Sequence, residues 1–391
     1  MFSSALFWSQ LIESSEDKPS EATRWKRHAF KYPKNTWTEG VNYYFDPQPS
    51  KEFKDTFARA VRAWEQDTCI EFKEDPTAAD KIRIKTNERG CASNVGRVGG
   101  EQLMYLGKGC ETFDNMVHEL GHSLGLLHMM NRHDRDEYIT VHEWNIKKDI
   151  LDEYKVIPEV NNVNYGMEYD YGSIMQYKWR SGTRNGWPTM VPEDVKYNST
   201  LGSEMISFVD LYVLNQHYSC SEKCKNVRSA NCTHGGFPHP RECSKCICPS
   251  GYGGPLCNQR PPDNCGKELS ASTEWKPLTD MMMYVNAEDF IDGYDKCNYW
   301  IKSANNTFIA VKIKSLRPAG PVRNGCVEAG VEIKAQKNQV LTGYRFCFQE
   351  HEGLILTSYT NLVPVIFYSR STTGISMITL EYRQVSARPS E

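Results

Sequence analysis

The segment His118-Glu119-Leu120-Gly121-His122-Ser123-Leu124-Gly125-Leu126-Leu127-His128 constrains this chain more than any other stretch. Two histidines four residues apart on a helix lie one turn above each other on one face, so both imidazoles reach a single metal ion. Glu119, beside the first of them, reaches a water molecule held at such an ion. Gly125 takes positive φ without steric penalty, ending the helix and turning the chain so that His128 supplies a third imidazole. Three neutral imidazoles leave a coordination position open, as a catalytic zinc requires and a closed structural site forbids. Phe113, Val117, Leu120 and Leu124 follow i, i+4, i+7, i+11 spacing, an ordinary core stripe. That stripe accounts for the apolar residues, but not for three histidines and a glycine at fixed offsets.

At 391 residues the chain has room for about two to four domains. Its net charge of −3 gives no electrostatic reason to expect a nucleic-acid partner. No apolar run approaches the ~20 residues of a membrane span. The 14 cysteines point to an oxidising compartment and a full set of bridges with none left over. A reduced metal-binding cluster at Cys243-Ser-Lys-Cys246-Ile-Cys248 is the competing reading, and the surrounding pattern fits a small disulfide module better. Sequons at Asn198, Asn231 and Asn305 are compatible with a glycosylated, secreted protein. Residues 1–12 are moderately apolar but lack a basic n-region and a small-residue cleavage site, so secretion is inferred from the cysteines. Residues 1–27 read as an N-terminal lead or partial pro-region. They end in Arg24-Trp25-Lys26-Arg27, a basic processing site releasing a chain from His28, or else an exposed basic patch.

Residues 37–46 read as a strand entry, and Phe57, Val61 and Trp64 mark an amphipathic helix. Residues 81–86 alternate as a half-buried strand. Between 265 and 385 the stretches 307–314, 331–335, 354–360 and 374–385 are β-rich and separated by turn residues, so this region reads as all-β.

The histidine segment matches the metzincin signature, in which a Met-turn follows downstream. Ser173-Ile174-Met175-Gln176-Tyr177 resembles that turn in its astacin form. Gly90-Cys91-Ala-Ser-Asn-Val-Gly96-Arg97-Val-Gly99-Gly100 is similar to the astacin stretch before the active-site helix. Arg132-His-Asp134-Arg135-Asp136-Glu-Tyr138 resembles the stretch after the third histidine, and residues 207–220 resemble the closing helix and cysteine. The resemblance implies an α+β, two-subdomain metzincin protease domain over 28–220, with one Zn²⁺ on His118, His122 and His128. It makes Glu119 the general base, places Met175 beneath the metal, and gives Tyr177 the oxyanion of the transition state. It also implies Cys69–Cys220 and Cys91–Cys110 bridges, the first closing a loop of about 150 residues and contributing roughly 4–5 kcal/mol in the chain-entropy model. It places the 81–86 strand at a sheet edge beside the cleft, where an extended peptide would pair.

Cys224, Cys232, Cys243, Cys246, Cys248 and Cys257 have EGF-like spacing, which implies a disulfide-rich module over 221–258 paired Cys224–Cys243, Cys232–Cys246 and Cys248–Cys257. A linker, 259–264, leads to 265–385, where Cys265, Cys297, Cys326 and Cys347 have the spacing of a CUB domain, an all-β sandwich, followed by a tail at 386–391. The stretch after Cys326 lacks the aspartate of calcium-binding CUB domains, so no calcium is expected, and Glu328 and Glu332 are expected on a solvated face.

The chain departs from the astacin pattern in three places. Met129 stands where astacins carry a glutamate that binds the new N-terminal amine, Leu126 replaces a phenylalanine, and Gln176 replaces a histidine. Residues 1–27 contain no inhibitory Phe-x-Gly-Asp motif. None of these changes removes a ligand, the base or Tyr177. The expectation is a secreted zinc zymogen-type endopeptidase acting on extracellular proteins, with matrix or receptor partners for the EGF-like and CUB modules. The alternative is a catalytically silent adhesion protein built on those modules. Lys178, Arg180 and Arg184 either favour acidic side chains beyond the scissile bond or are simply exposed charges.

Overall fold

A computed structural model describes residues 27–30, 35–282, 290–370 and 374–388. Residues 1–26 of the N-terminal lead, with Arg24-Trp25-Lys26 of the basic run, lie outside the described residues, as do tail residues 389–391. The chain divides into two compact units, the first made of Met1–Tyr169, Ile174–Glu193 and Val209–Asn226. The second comprises Asp170–Ser173, Asp194–Phe208 and Val227–Glu391. Among the described residues no helix is long and apolar enough to cross a membrane.

The elements of the N-terminal half run β1 (Arg27–Phe30), β2 (Val41–Phe45), α1 (Lys51–Glu65), β3 (Phe72–Glu74), β4 (Lys81–Lys85), β5 (Cys91–Ser93) and β6 (Glu101–Leu106). They continue with α2 (Phe113–Ser123), β7 (Ile139–Val141), β8 (Asn162–Asn164), β9 (Met190–Pro192) and α3 (Phe208–His217). A five-stranded sheet has the order β3-β2-β4-β6-β5, parallel throughout except for β5 on β6. Ser50 opens α1 by accepting the Phe53 N–H on its hydroxyl at 3.2 Å. Phe53, Phe57, Ala60, Val61 and Trp64 then recur at helical spacing and are buried. Trp64 is completely buried and donates its indole N–H to the Val117 carbonyl of α2 at 3.0 Å, which locks the two helices together. Bridges Cys69–Cys220 and Cys91–Cys110 close this unit, the first tying the end of α1 to the end of α3.

The strand at 81–86 is not the edge that the astacin resemblance implies. β4 lies between β2 and β6, with Ile82 and Ile84 buried, and the edge beyond β6 is β5. Alternation reports that one face of a strand is covered; it does not report how many neighbours its backbone has.

In the second unit β10 (Phe237–His239) and β11 (Glu242–Ile247) form a hairpin within a segment bridged by Cys232–Cys246 and Cys248–Cys257. The chain then forms β12 (Glu268–Ser270), β13 (Lys276–Met282), β14 (Asp295–Lys302), β15 (Phe308–Arg317) and β16 (Ala329–Ile333). After these come β17 (Tyr344–Phe346), β18 (Ile355–Thr357), β19 (Leu362–Ser369) and β20 (Ser376–Val385). Two sheets, β12-β14-β19-β16-β17 and β13-β20-β15-β18, pack face to face. Inward residues of β20 (Ile378, Leu380, Tyr382) and of β19 (Val363, Val365, Phe367) fill the space between them. Cys265–Cys297 and Cys326–Cys347 bridge this region. No cysteine of the described chain is free.

Glu332, expected on a solvated face, is instead 3% exposed, because β16 sits inside its sheet between β19 and β17 and the outer face is covered. Its carboxylate accepts from Arg345 Nε at 3.0 Å, the Gly343 N–H at 2.9 Å and the Ser250 hydroxyl at 2.8 Å. Lys334, with no exposed surface, donates to Ser250 Oγ at 2.9 Å and to the Leu341 carbonyl at 2.8 Å. Arg345 reaches Ser203 Oγ at 2.7 Å, and its backbone N–H donates to Thr200 Oγ1 at 3.0 Å. Glu328 is half-buried and lies 3.5 Å from Arg370. A second tie in this unit is Asp170, 1% exposed, which accepts the backbone N–H and the hydroxyl of Thr342, each at 3.1 Å.

Candidate metal centre

Helix α2 carries His118 and His122 one turn apart and stops at Leu124, after which Gly125 has φ of 105°. Such a value is open to glycine and strained for other residues, and a Cβ here would also stand 3.1 Å from His217 Nε2. The reversal brings His128 back onto the helix face. Its Nε2 lies 3.2 Å from His118 Nε2 and 3.0 Å from His122 Nε2. Neutral imidazoles meeting through lone pairs at such distances gain nothing from one another. For a tetrahedral ion with metal–nitrogen bonds of ~2.05 Å, however, the nitrogens must lie about 3.3 Å apart.

The outward nitrogens fix this orientation. His118 Nδ1 pairs with the Ile174 carbonyl at 2.9 Å and His122 Nδ1 with the Leu126 carbonyl at 2.8 Å. A carbonyl only accepts, so each Nδ1 carries the proton and each Nε2 presents its lone pair inward. Burial holds all three histidines below the usual imidazole range, His122 at about 3. They are thus neutral and ready to ligate at physiological pH. Among the described residues this is the only group of three or more His, Cys, Asp or Glu side chains close enough to share an ion.

Glu119 is 3% exposed, and burial pushes its carboxyl up to about 8. Its Oε2 is buried without a hydrogen-bond partner, which is costly for any buried polar atom unless a ligand or water supplies one. Gly121 occupies the helix position below. A Cβ there would come within 2.9 Å of Met175 Sδ and 3.3 Å of Trp64 Cζ2, so the absence of a side chain lets Met175 pack under the histidines. The Met175 carbonyl accepts the Met129 N–H at 3.0 Å, and the Ile174 N–H donates to Asp210 of α3 at 3.1 Å. The turn at 173–177 is therefore pinned from both sides. Met129 is wholly buried, with Arg132 Nη1 3.8 Å from its sulfur.

The Tyr177 ring lies 4.4 Å from the His128 ring. Burial and the neighbouring Glu153 charge raise its phenol well above the ordinary value, so it stays protonated and able to donate. Glu153, which no motif singles out, accepts that hydroxyl at 3.1 Å. Also invisible to motif reasoning are the Ile174 and Leu126 carbonyls and Asp210, since backbone acceptors carry no side-chain signature. Arg180 lies over the Trp179 ring at 4.1 Å and Arg184 donates to the Trp144 carbonyl at 2.6 Å, both exposed. Of the sequon asparagines, Asn231 and Asn305 are exposed and Asn198 is half-buried.

A helix bearing two inward imidazoles, a third returned by a glycine turn and a methionine packed beneath form a site that could hold one metal ion. Residues 29–219 match the profile of the peptidase family Astacin. Over 374 residues the chain is 41% identical to "Zinc metalloproteinase nas-31" of Caenorhabditis elegans, covering 95% of this chain and 60% of that protein. It is 32% identical to "Zinc metalloproteinase nas-17" of the same organism, covering 93% of this chain and 82% of that protein. For "Zinc metalloproteinase nas-25" the figures are 32%, 88% and 86%. The chain belongs to the astacin family of zinc metalloproteases. It spans about three fifths of the length of nas-31 and 57% of that of nas-32.

Proposed function

We propose that this chain is a secreted zinc-dependent endopeptidase that cleaves peptide bonds of extracellular proteins. The observation carrying this reading is the convergence of three Nε2 atoms beside a buried carboxylate with an unsatisfied oxygen. Zinc, when held by His118, His122 and His128, supplies Lewis acidity to a scissile carbonyl and to a water molecule. Glu119 takes a proton from the attacking water and returns it to the leaving amine. Tyr177 donates its hydroxyl to the carbonyl oxygen as charge gathers there. The fully bridged cysteines support an oxidising, extracellular setting. The EGF-like reading of 221–258 and the CUB reading of 265–385 supply modules for extracellular partners.

The test is zinc analysis together with cleavage of a mixed peptide library, with and without a chelator, for the wild type and Glu119→Ala. The expected result is chelator-sensitive cleavage by the wild type, and a variant that keeps its zinc but has no turnover. Substantial peptidase activity in Glu119→Ala would remove Glu119 as the base. A wild-type chain that binds no zinc would sink the whole reading.

A further inference from the structure

The acceptor of the Tyr177 hydroxyl carries an inference beyond the roles above, and it rests on the proposed function. Glu153 lies near the end of a 3₁₀ helix, Lys148–Tyr154, 24 residues from Tyr177 in sequence and 5% exposed. Two anchors hold its backbone. The Asn131 side-chain amide donates to the Glu153 carbonyl at 2.7 Å and to the Lys155 carbonyl at 2.8 Å. Arg135 donates to the intervening Tyr154 carbonyl. Asn131 is in turn fixed to the third histidine, because its N–H donates to the His128 carbonyl at 3.1 Å. The position of the Glu153 carboxylate is thereby keyed to His128, the imidazole against which the Tyr177 ring packs. The Tyr154 ring, 6.1 Å from that of Tyr177, closes the far side.

We infer that Glu153 is the positioning residue for Tyr177: its carboxylate accepts the phenol hydroxyl and parks the ring beside His128 between turnovers. A phenol has one proton to donate. Tyr177 therefore gives its hydrogen bond to Glu153 in the resting site and to the substrate oxygen only when negative charge develops there. Holding the ring in one orientation means the donor need only pivot when charge appears, and preorganised donors are worth most. Glu153 contacts no substrate in this scheme; it acts through Tyr177.

The experiment is a double-mutant cycle on the zinc-loaded full chain with Glu153→Ala, Tyr177→Phe and the pair, with Glu153→Gln as the conservative variant. Zinc content and melting temperature are checked on each. Misplacing a donor in a catalytic site costs about tenfold or more in rate, so Glu153→Ala should lower kcat by about that factor with KM within about twofold. Glu153→Gln, whose amide oxygen still accepts a hydroxyl, should recover most of the loss. In the Tyr177→Phe background Glu153→Ala should change nothing further. An equal loss in both backgrounds, a loss confined to KM, or no loss at all overturns the inference.

A second readout does not depend on turnover. In metal-free protein labelled with ¹³Cζ-tyrosine, the Tyr177 resonance, assigned by its disappearance in Tyr177→Phe, should shift in Glu153→Ala. An unmoved resonance overturns the inference even if the chain proves inactive. Loss of chelator-sensitive cleavage in the wild type would instead count against the proposed function.

Discussion

Replacing Glu332 by glutamine isolates one charge in a buried network. Burial alone raises this carboxyl, but the Arg345 and Lys334 charges, with hydrogen bonds from Gly343 and Ser250, outweigh it and hold the group at about 2. Against an unfolded value of 4.5, the difference of about 2.5 pKa units corresponds to about 3 kcal/mol of stability. The sign follows from proton uptake. Above pH 4.5 both states are ionised and the stabilisation is complete. Between 4.5 and about 2 the unfolded chain binds the proton first, and the contribution is lost. Removing one partner of a buried pair also strands the other, typically at about 3–5 kcal/mol. Here Lys334, already pushed down to about 8 by burial, loses the negative charge that held it up and can shed its proton. That relief argues for the lower end, about 3 kcal/mol. Urea denaturation followed by tryptophan fluorescence should show a midpoint about 1.5 M lower for Glu332→Gln at pH 7, taking a slope near 2 kcal/mol/M. The gap should close as the pH falls towards 2. A variant within about 1 kcal/mol of wild type at pH 7, or a gap independent of pH, would refute the assignment.

Gly121→Ala should gain about 1 kcal/mol of helix propensity but lose about 1–3 kcal/mol to crowding against Met175 and Trp64. A net loss in thermal melting is expected, and a stabilised variant would show that Met175 yields freely. Zinc at a hundredfold excess over Kd should stabilise the chain by about 2.7 kcal/mol, with chelator reversing the effect in the wild type and having none in His122→Ala. In metal-free protein the buried histidines refuse protons that their unfolded counterparts accept, so urea stability should fall as the pH drops from 6.5 towards about 3. A smaller slope in His122→Ala would confirm the source.

The three-histidine cluster was legible because it is compressed into the stretch from His118 to His128, where helical periodicity and one glycine dictate the geometry. Helix α1 was legible for a similar local reason, through Phe57, Val61 and Trp64. Strands β15, β16, β18 and β20 emerged from β-rich composition and partial alternation. In contrast, β19 is buried on both faces and holds Pro364 inside it, so it shows neither alternation nor an uninterrupted strand pattern. β14 places Asn298 in the middle of a buried run. What escaped altogether were relations between distant residues. Nothing local in Glu153 announces a tyrosine in another loop, and nothing local in Glu332 announces that Arg345 and Ser250 will cover it.

Asp170 and Gly172 pack on Thr342, where a Cβ on Gly172 would fall 2.3 Å from the threonine Cγ2. Asp194–Phe208 likewise belongs to the unit containing the β-sandwich, through Tyr344 on Asp194 at 2.7 Å and Arg370 on Glu204. A recombinant fragment cut after Cys220 would carry these two stretches stripped of their neighbours. Trimming this gene after Cys220 should therefore leave both stretches without the side chains they pack on, whereas expression through the last strand keeps them seated.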